Sequence, residues 1–288
     1  MIRIQWLPKI SLLLLSFCVS CAEAPSALKP VPNNPFIAHY ARVKREAVEQ
    51  GMKRFPRYQD FISKELAKEN LPPFLMILPA LESGFRPDAV SSAGAKGLWQ
   101  FMPETGRQYG LRVDEWVDER LDPFKATQSA VQYLKRLYQI FEDWEYALTS
   151  YNAGEGRVSK ALKVEYDYKL APGFWKLELR AESRDYYPKF VALVTIYRNR
   201  EEFGFDNIEV DPPLNLVPVQ IPTRISLAAA AQYMEVDIAL IKQFNLFLIQ
   251  GAPPPNESNY TLYIPSEFRQ KLLDALALPA EATTVSLM

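Results

Sequence analysis

From Phe36 to about Phe205, apolar residues recur at helical spacing and hardly anywhere at the two-residue spacing of a strand. This predicts a mainly α domain of roughly 170 residues. The clearest stretch is Ala126 to Phe141. There Ala130, Val131, Leu134, Leu137, Tyr138 and Phe141 follow the i, i+3, i+4, i+7 rule, and Lys135 and Arg136 fall outside it. Tyr58 to Glu69 sets Phe61, Ile62 and Leu66 on one face, and Pro72-Pro73 ends that helix and suits the first turn of the next. With 48% apolar and 12% aromatic residues among 288, a packed core is within reach and wholesale disorder is excluded.

A composition shift at Asp211-Pro212-Pro213 breaks the helical pattern and marks a domain boundary. Beyond it Val217–Ile221 alternates like a strand. Leu227–Met234 and Ile238–Phe244 read as short helices capped by Ser226 and Asp237, and Tyr260–Ile264 reads as a second strand. The order strand–helix–helix–strand predicts a small α+β module over 211–270, with 271–288 as a tail and 36–205 as the helical domain.

The first 21 residues read as an export signal. Arg3 and Lys9 flank an apolar run, Ile10–Val19, that is too short to span a bilayer. Residues 22–35 (AEAPSALKPVPNNP) read as a flexible tether. The two cysteines of the chain, Cys18 and Cys21, both lie in or beside the signal, so the later domains have no disulfide framework and no cysteine metal site. Cys18-Val19-Ser20-Cys21 resembles a bacterial lipoprotein processing site with Cys21 as the acylated residue. That resemblance implies a periplasm-facing outer-membrane lipoprotein of the cell envelope, touching the membrane only through the anchor. Ala22-Glu23-Ala24 offers an ordinary signal-peptidase site, and release as a soluble protein, as the alternative.

Thirty-three basic residues balance thirty-four acidic ones, which argues against nucleic acid as a partner. Fifteen Tyr, sixteen Phe and five Trp could supply faces for stacking on sugars, although most aromatics in a chain of this kind serve the core. His39 is the one histidine and has no companion at ligand spacing, so no metal is predicted.

The chemistry concentrates in Leu78 to Gly106. The apolar run Phe74–Leu81 ends abruptly in Glu82-Ser83-Gly84, which predicts a buried helix with Glu82 at its C-terminal end. The helix dipole and the apolar neighbours both disfavour a charge there, so the carboxyl should keep its proton near neutral pH, as a general acid for glycoside cleavage must. Pro79, inside the predicted helix, should kink it. Gly94 to Pro103 (GAKGLWQFMP) adds glycines that admit close backbone approach, stacking aromatics and the amide of Gln100. Tyr151-Asn152-Ala153-Gly154 follows, readable either as a turn presenting polar groups to a cleft or as a helix C-cap.

Glu82-Ser83, Gly94–Gln100 and Tyr151–Gly154, with Tyr187-Pro188-Lys189 after them, closely resemble the signature blocks of family 1 lytic transglycosylases over roughly residues 60–205. The resemblance implies a lysozyme-like helical fold of the goose-type and soluble lytic transglycosylase kind, with no cofactor. It implies peptidoglycan glycan strands as substrate, while protein partners stay unknown. Glu82 would be the sole catalytic carboxyl. It would protonate the bridge oxygen between N-acetylmuramic acid and N-acetylglucosamine, then take the C6 hydroxyl proton as a 1,6-anhydro end closes without water. Ser91 would hydrogen-bond the N-acetyl group or Glu82. Gln100 and Phe101 would line the cleft, and Tyr151 and Asn152 would face the reacting sugar. Ser83 is a substrate contact or a structural cap, and Tyr187 a cleft residue or a core one. The module resembles a LysM domain through Asn245 and Tyr260–Pro265. Its opening Gly-Asp-Thr turn is replaced by Ile221-Pro222-Thr223-Arg224, which leaves glycan binding and a purely scaffolding role both open.

Two other readings stand beside this one. A lysozyme-type hydrolase on the same fold needs a second carboxylate, about 6.5–9.5 Å away in inverting enzymes; Asp88 and Glu104 are the nearest in sequence. A non-catalytic peptidoglycan-binding protein would keep the cleft without needing the acid.

Overall fold

The computed structural model describes residues 28–167, 177–222 and 225–279. Cys18, Cys21 and the signal segment lie outside the described residues, as do 280–288 of the expected tail. In chain order the first domain contains α1 (Pro35–Ala38), a π-turn His39–Val43, α2 (Arg45–Arg54), α3 (Pro56–Lys68), a 3-10 turn Pro73–Ile77, α4 (Leu78–Glu82) and α5 (Pro103–Gln108). A 3-10 turn Glu119–Leu121, α6 (Pro123–Phe141), α7 (Trp144–Ala153), α8 (Glu155–Asp167) and α9 (Ala181–Arg198) complete it. The module follows as β1 (Leu216–Pro222), α10 (Leu227–Met234), α11 (Ile238–Lys242), β2 (Asn259–Pro265) and α12 (Arg269–Leu276).

The helix predicted over 126–141 begins three residues earlier because Asp122 caps it. One carboxylate oxygen accepts from the amides of Phe124 (2.9 Å) and Lys125 (3.1 Å), and Pro123 occupies the first turn, where an N–H has no helical partner. Glu142, in the left-handed region at φ 51°, ends it. Leu134 and Leu137 of α6 pack with Trp144 and Leu148 of α7, Phe190 and Ile196 of α9, and Ile62 and Leu66 of α3. Trp144 stacks on Tyr138 at 4.5 Å and meets the edge of Phe74 at 5.9 Å. Such pairs add about 1 kcal/mol beyond area burial.

In the module β1 and β2 run antiparallel with Val219 opposite Leu262. Ser226 and Asp237 cap α10 and α11 as expected, each accepting from an amide two or three residues on. Asn245 is fully buried and pins the centre of β2: its side chain donates to the carbonyls of Ile241 (2.8 Å) and Tyr263 (2.7 Å) and accepts from the Tyr263 amide (2.8 Å).

Three expectations are corrected by packing. Residues 28–35 of the supposed tether lie against the helical core. Leu28 and Val31 touch it, Lys29 pairs with Asp143, and buried Asn34 donates to the Pro188 carbonyl at 2.8 Å. The module does not end at 270, because α12 buries Leu272 and Leu273 in its core. The third is the shared face of Phe61, Ile62 and Leu66, because the two cores meet beside Phe61. Val117 and Phe124 of the first domain are buried among module side chains, and Phe61 of α3 meets Phe124 edge-on at 5.0 Å instead of joining Ile62 and Leu66. Backbone pairing closes this seam, with Asp118 N–H donating to the Phe247 carbonyl and Ile249 N–H to the Trp116 carbonyl, both at 2.9 Å. Among the described residues no helix is long and apolar enough to cross a membrane.

Candidate active site

Glu82 is the last residue of α4, and the chain around it is held from both sides. The 3-10 turn Pro73–Ile77 and α4 drive Leu75 and Leu78 fully into the core. Pro79 is not an interior helix breaker. It sits in the first turn of α4, just after the 3-10 turn Pro73–Ile77, where its missing N–H costs nothing. After Glu82 the amides of Ser83 (3.0 Å) and Phe85 (3.2 Å) return to the Pro79 carbonyl, and Gly84 and Phe85 both take positive φ. This sharp reversal buries the Phe85 ring against Phe55 at 5.2 Å and leaves the Glu82 carboxyl facing a cavity of about 730 Å³.

The helix of Glu82 has only five residues, so desolvation rather than a dipole dominates its electrostatics. Burial raises the carboxyl from 4.5 to about 7, and a hydrogen bond from Tyr186 pulls the other way. The Tyr186 hydroxyl donates to Glu82 Oε1. The cavity wall opposite is one stripe of α9. Glu182, Tyr186, Lys189, Leu193 and Tyr197 line it at i, i+4, i+7, i+11 and i+15, the spacing of a single helical face. The other wall brings His39, Lys44, Arg54 and Arg86. Burial first, and then the nearby charge of Glu82, keep the hydroxyls of Tyr151 and Tyr186 protonated.

Of the residues singled out from sequence, Glu82, Ser83 and Asn152 line this cavity. The Ser83 hydroxyl is already committed: it donates to the Leu98 carbonyl (2.8 Å) and accepts from the Arg86 amide (3.2 Å), so it latches α4 to the Gly94–Phe101 strap. Asn152, on the cavity wall, accepts from Ser183 at 3.2 Å. Tyr151 donates to the Trp99 carbonyl at 2.9 Å, a second latch onto the strap.

Besides Tyr151, four residues expected to face the cleft do not line this cavity. Ser91 closes a turn by accepting from the Ala95 amide (3.0 Å). Gln100, at φ 51°, turns its amide back onto the carbonyls of Gly97 (2.8 Å) and Ala89 (3.2 Å). Phe101 is buried, its ring 6.4 Å from those of Tyr133 and Tyr151. Tyr187 is fully buried and donates to the Lys29 carbonyl at 2.8 Å. A loop with few regular hydrogen bonds satisfies its own backbone with its polar side chains, and this draws Ser91 and Gln100 inward.

Sequence reasoning missed Tyr186, Glu182 and Lys189, although the α9 stripe was there to be counted. It also missed the buried pair Asp118 and Arg120. Asp88 and Glu104, the candidates for a second carboxylate, do not line the cavity, whereas exposed Glu182 does. Among the described residues no group of three or more His, Cys, Asp or Glu is placed to hold a metal ion.

Residues 59–172 match the family model of the transglycosylase SLT domain, and residues 215–281 match the model described as lytic transglycosylase MltD, LysM-like domain. The chain therefore carries an SLT domain within the helical part, followed by an MltD-type LysM-like domain that coincides with the module. The membrane-bound lytic murein transglycosylase D of Escherichia coli is 33% identical over 76% of this chain and 49% of its own length. The chain spans about half the length of that relative. A candidate tributyltin chloride resistance protein of Alteromonas sp. is 28% identical over 62% of this chain and 86% of that protein. Among solved structures, the 70 kDa soluble lytic transglycosylase of Escherichia coli is 22% identical, with a TM-score of 0.38, covering 54% of this chain and 27% of that one. The second model's limits agree with α12 belonging to the module.

Proposed function

We propose that this chain is a peptidoglycan lytic transglycosylase. It cleaves the β-1,4 bond between N-acetylmuramic acid and N-acetylglucosamine without water and leaves 1,6-anhydro ends. The observation that carries the reading is the Glu82 carboxyl, set on a large cavity and raised to about 7 by burial. A group that is protonated just below neutrality can deliver its proton to a bridge oxygen. Once ionised, it can accept one from a hydroxyl of the same sugar. Tyr186, donating to Oε1, steadies the carboxylate form and leaves the other oxygen for the transfer. Asn152 is the polar side chain from the Tyr151–Gly154 block that reaches the cavity, and we assign it the contact to the reacting sugar. Ser83 and Tyr151 act by holding the strap, and Phe101 by packing beneath it.

The test is digestion of purified peptidoglycan with mass analysis of the muropeptides. Anhydro ends are expected from the wild type and none from Glu82→Gln, which should still fold. Products heavier by one water would transfer the reading to a lysozyme-type hydrolase, for which Glu182 on the cavity wall is the available second carboxylate. A binding protein without activity would leave wild type and Glu82→Gln alike.

The apolar run Ile10–Val19 before Cys21, and the membrane-bound character in the name of the 33% identical relative, support export with acylation at Cys21 and a periplasm-facing place at the outer membrane. Cys21→Ala should move the protein from the membrane pellet to the soluble fraction.

A further inference from the structure

The strap Gly94–Phe101 is tied to the surroundings of Glu82 by the Ser83 latch onto Leu98 and the Tyr151 latch onto Trp99. What holds the strap lies on its far side. The buried guanidinium of Arg120 donates from one nitrogen to the carbonyls of Gly94 (2.9 Å) and Phe101 (3.1 Å), the two ends of the strap. Its remaining donors engage Asp118, Nε at 2.8 Å and the second terminal nitrogen at 2.7 Å, in the two-point geometry that only arginine offers. Lys96, from within the strap, adds a third bond to Asp118 at 3.0 Å. At the middle of the strap Gly97 lies so close that a Cβ there would stand 1.7 Å from the Arg120 carbonyl oxygen.

Asp118 is also the residue that the module grips. Its amide donates to the Phe247 carbonyl, its neighbour Val117 is fully buried in the module's core, and Ile249 donates back to Trp116. One residue therefore carries backbone pairing to the module on one side and, through its side chain, the pin of the strap on the other. Burial works to raise the Asp118 carboxyl, but the hydrogen bonds from Arg120 and Lys96 outweigh it and hold it below the ordinary range, so the pair is ionised and its geometry fixed.

We propose that Asp118 and Arg120 are positioning residues through which the docked LysM-like module sets the placement of Glu82. The module is then part of the catalytic scaffold rather than a separately acting glycan tether. This rests on the transglycosylase reading for its kinetic consequence. The geometry makes a specific demand. If the strap relaxes, Ser83 and Tyr151 lose their anchors, water reaches Glu82, and its carboxyl returns toward the ordinary carboxylate range.

Two full-length variants test this: Arg120→Lys, which keeps the charge but cannot span two carbonyls and a carboxylate, and Leu248→Ala, which weakens the module's side of the seam. In both, kcat should fall about tenfold with KM changed less than about twofold, as expected for misplaced catalytic groups. The alkaline limb of the pH–rate profile should move about one unit toward acid. The folded fraction of each variant, followed by circular dichroism over the same pH range, is divided out of the profile, so a limb moved by unfolding is told apart from one moved by Glu82. Carbon-13 titration of the Glu82 carboxyl, identified by its loss in Glu82→Gln, reads the same shift without turnover. It therefore stands even if the wild type releases no anhydro ends. A limb and a titration unmoved in both variants would overturn the proposal, and movement in Arg120→Lys alone would overturn the module's part in it.

Discussion

Tyr186 donates its hydroxyl to Glu82 Oε1 from α9, across the cavity from the end of α4. Its chain neighbour Tyr187 points about 100° away around the same helix and donates to the Lys29 carbonyl beneath the core. Two adjacent tyrosines thus serve two different ends. One tunes an acid, and the other fastens the segment that precedes α1.

That division predicts opposite outcomes for the same chemical change. Tyr186→Phe removes a bond that favours the Glu82 carboxylate, so the carboxyl should rise above about 7 and the alkaline limb of the rate profile should move upward. The rate constant should fall about tenfold, as is usual when a polar partner of a general acid is lost. Tyr187→Phe should leave kcat within about twofold and lower unfolding free energy by about 1 kcal/mol. Steady-state kinetics and urea melts of the two variants separate the roles; equal effects would contradict the assignment.

Glu82 should also write itself into stability. Its folded value, about 7, lies above 4.5, so the folded state holds the proton more tightly. The protein is therefore penalised as pH rises through that window, fully so above it. Glu82→Gln should match the wild type near pH 4 and exceed it above pH 7 by on the order of 3 kcal/mol. Melting temperatures across that range measure the crossing, and parallel curves would show an unshifted carboxyl.

At Gly97 space and conformation agree. Its φ is 81°, and a Cβ would collide with the backbone of Arg120. Gly97→Ala should cost about 3 kcal/mol or more in equilibrium unfolding, with activity falling alongside. Gly94→Ala shares the positive φ but meets open space, and should cost about 1 kcal/mol. Similar losses at the two sites would remove the argument from crowding.

Asp122 caps α6 through one oxygen while burial raises its carboxyl to about 6 against the pull of its amide donors and Lys125. Asp122→Ala should lose about 1–2 kcal/mol. Asp122→Asn keeps the acceptor and sheds the buried charge, so above about pH 7 it should equal or exceed the wild type. Chemical denaturation at about pH 5 and about pH 8 decides it.

The sequence made the helical domain legible because α3 and α6 bury continuous stripes, and made the module legible because its caps and strands sit at regular intervals. Glu82 was legible for a related reason, since a carboxyl ending an apolar run has few surroundings open to it. Tyr186 was not, because a one-residue error on a helix turns a cavity residue into a core residue, and only a count of the whole α9 face separates them. Ser91 and Gln100 misled because a motif records which residues are present and not which way a loop turns them. The packing of 28–35 depends on single contacts made by Lys29 and Asn34, which leave no periodic trace. The seam was hidden for the same reason: Val117 and Phe124 look like residues of their own domain until the distant partners Leu248 and Tyr263 are in place.

Phe124 shows what that seam entails. Its ring lies 4.7 Å from that of Tyr263, in a helix whose next turns build the other core. A chimera that kept the first domain and exchanged its C-terminal unit for an unrelated sugar-binding one would uncover the apolar side chains of Trp116, Val117, Leu121 and Phe124. The two halves are thus interchangeable only as a matched set, and substitutions on one side of the joint call for answering changes on the other.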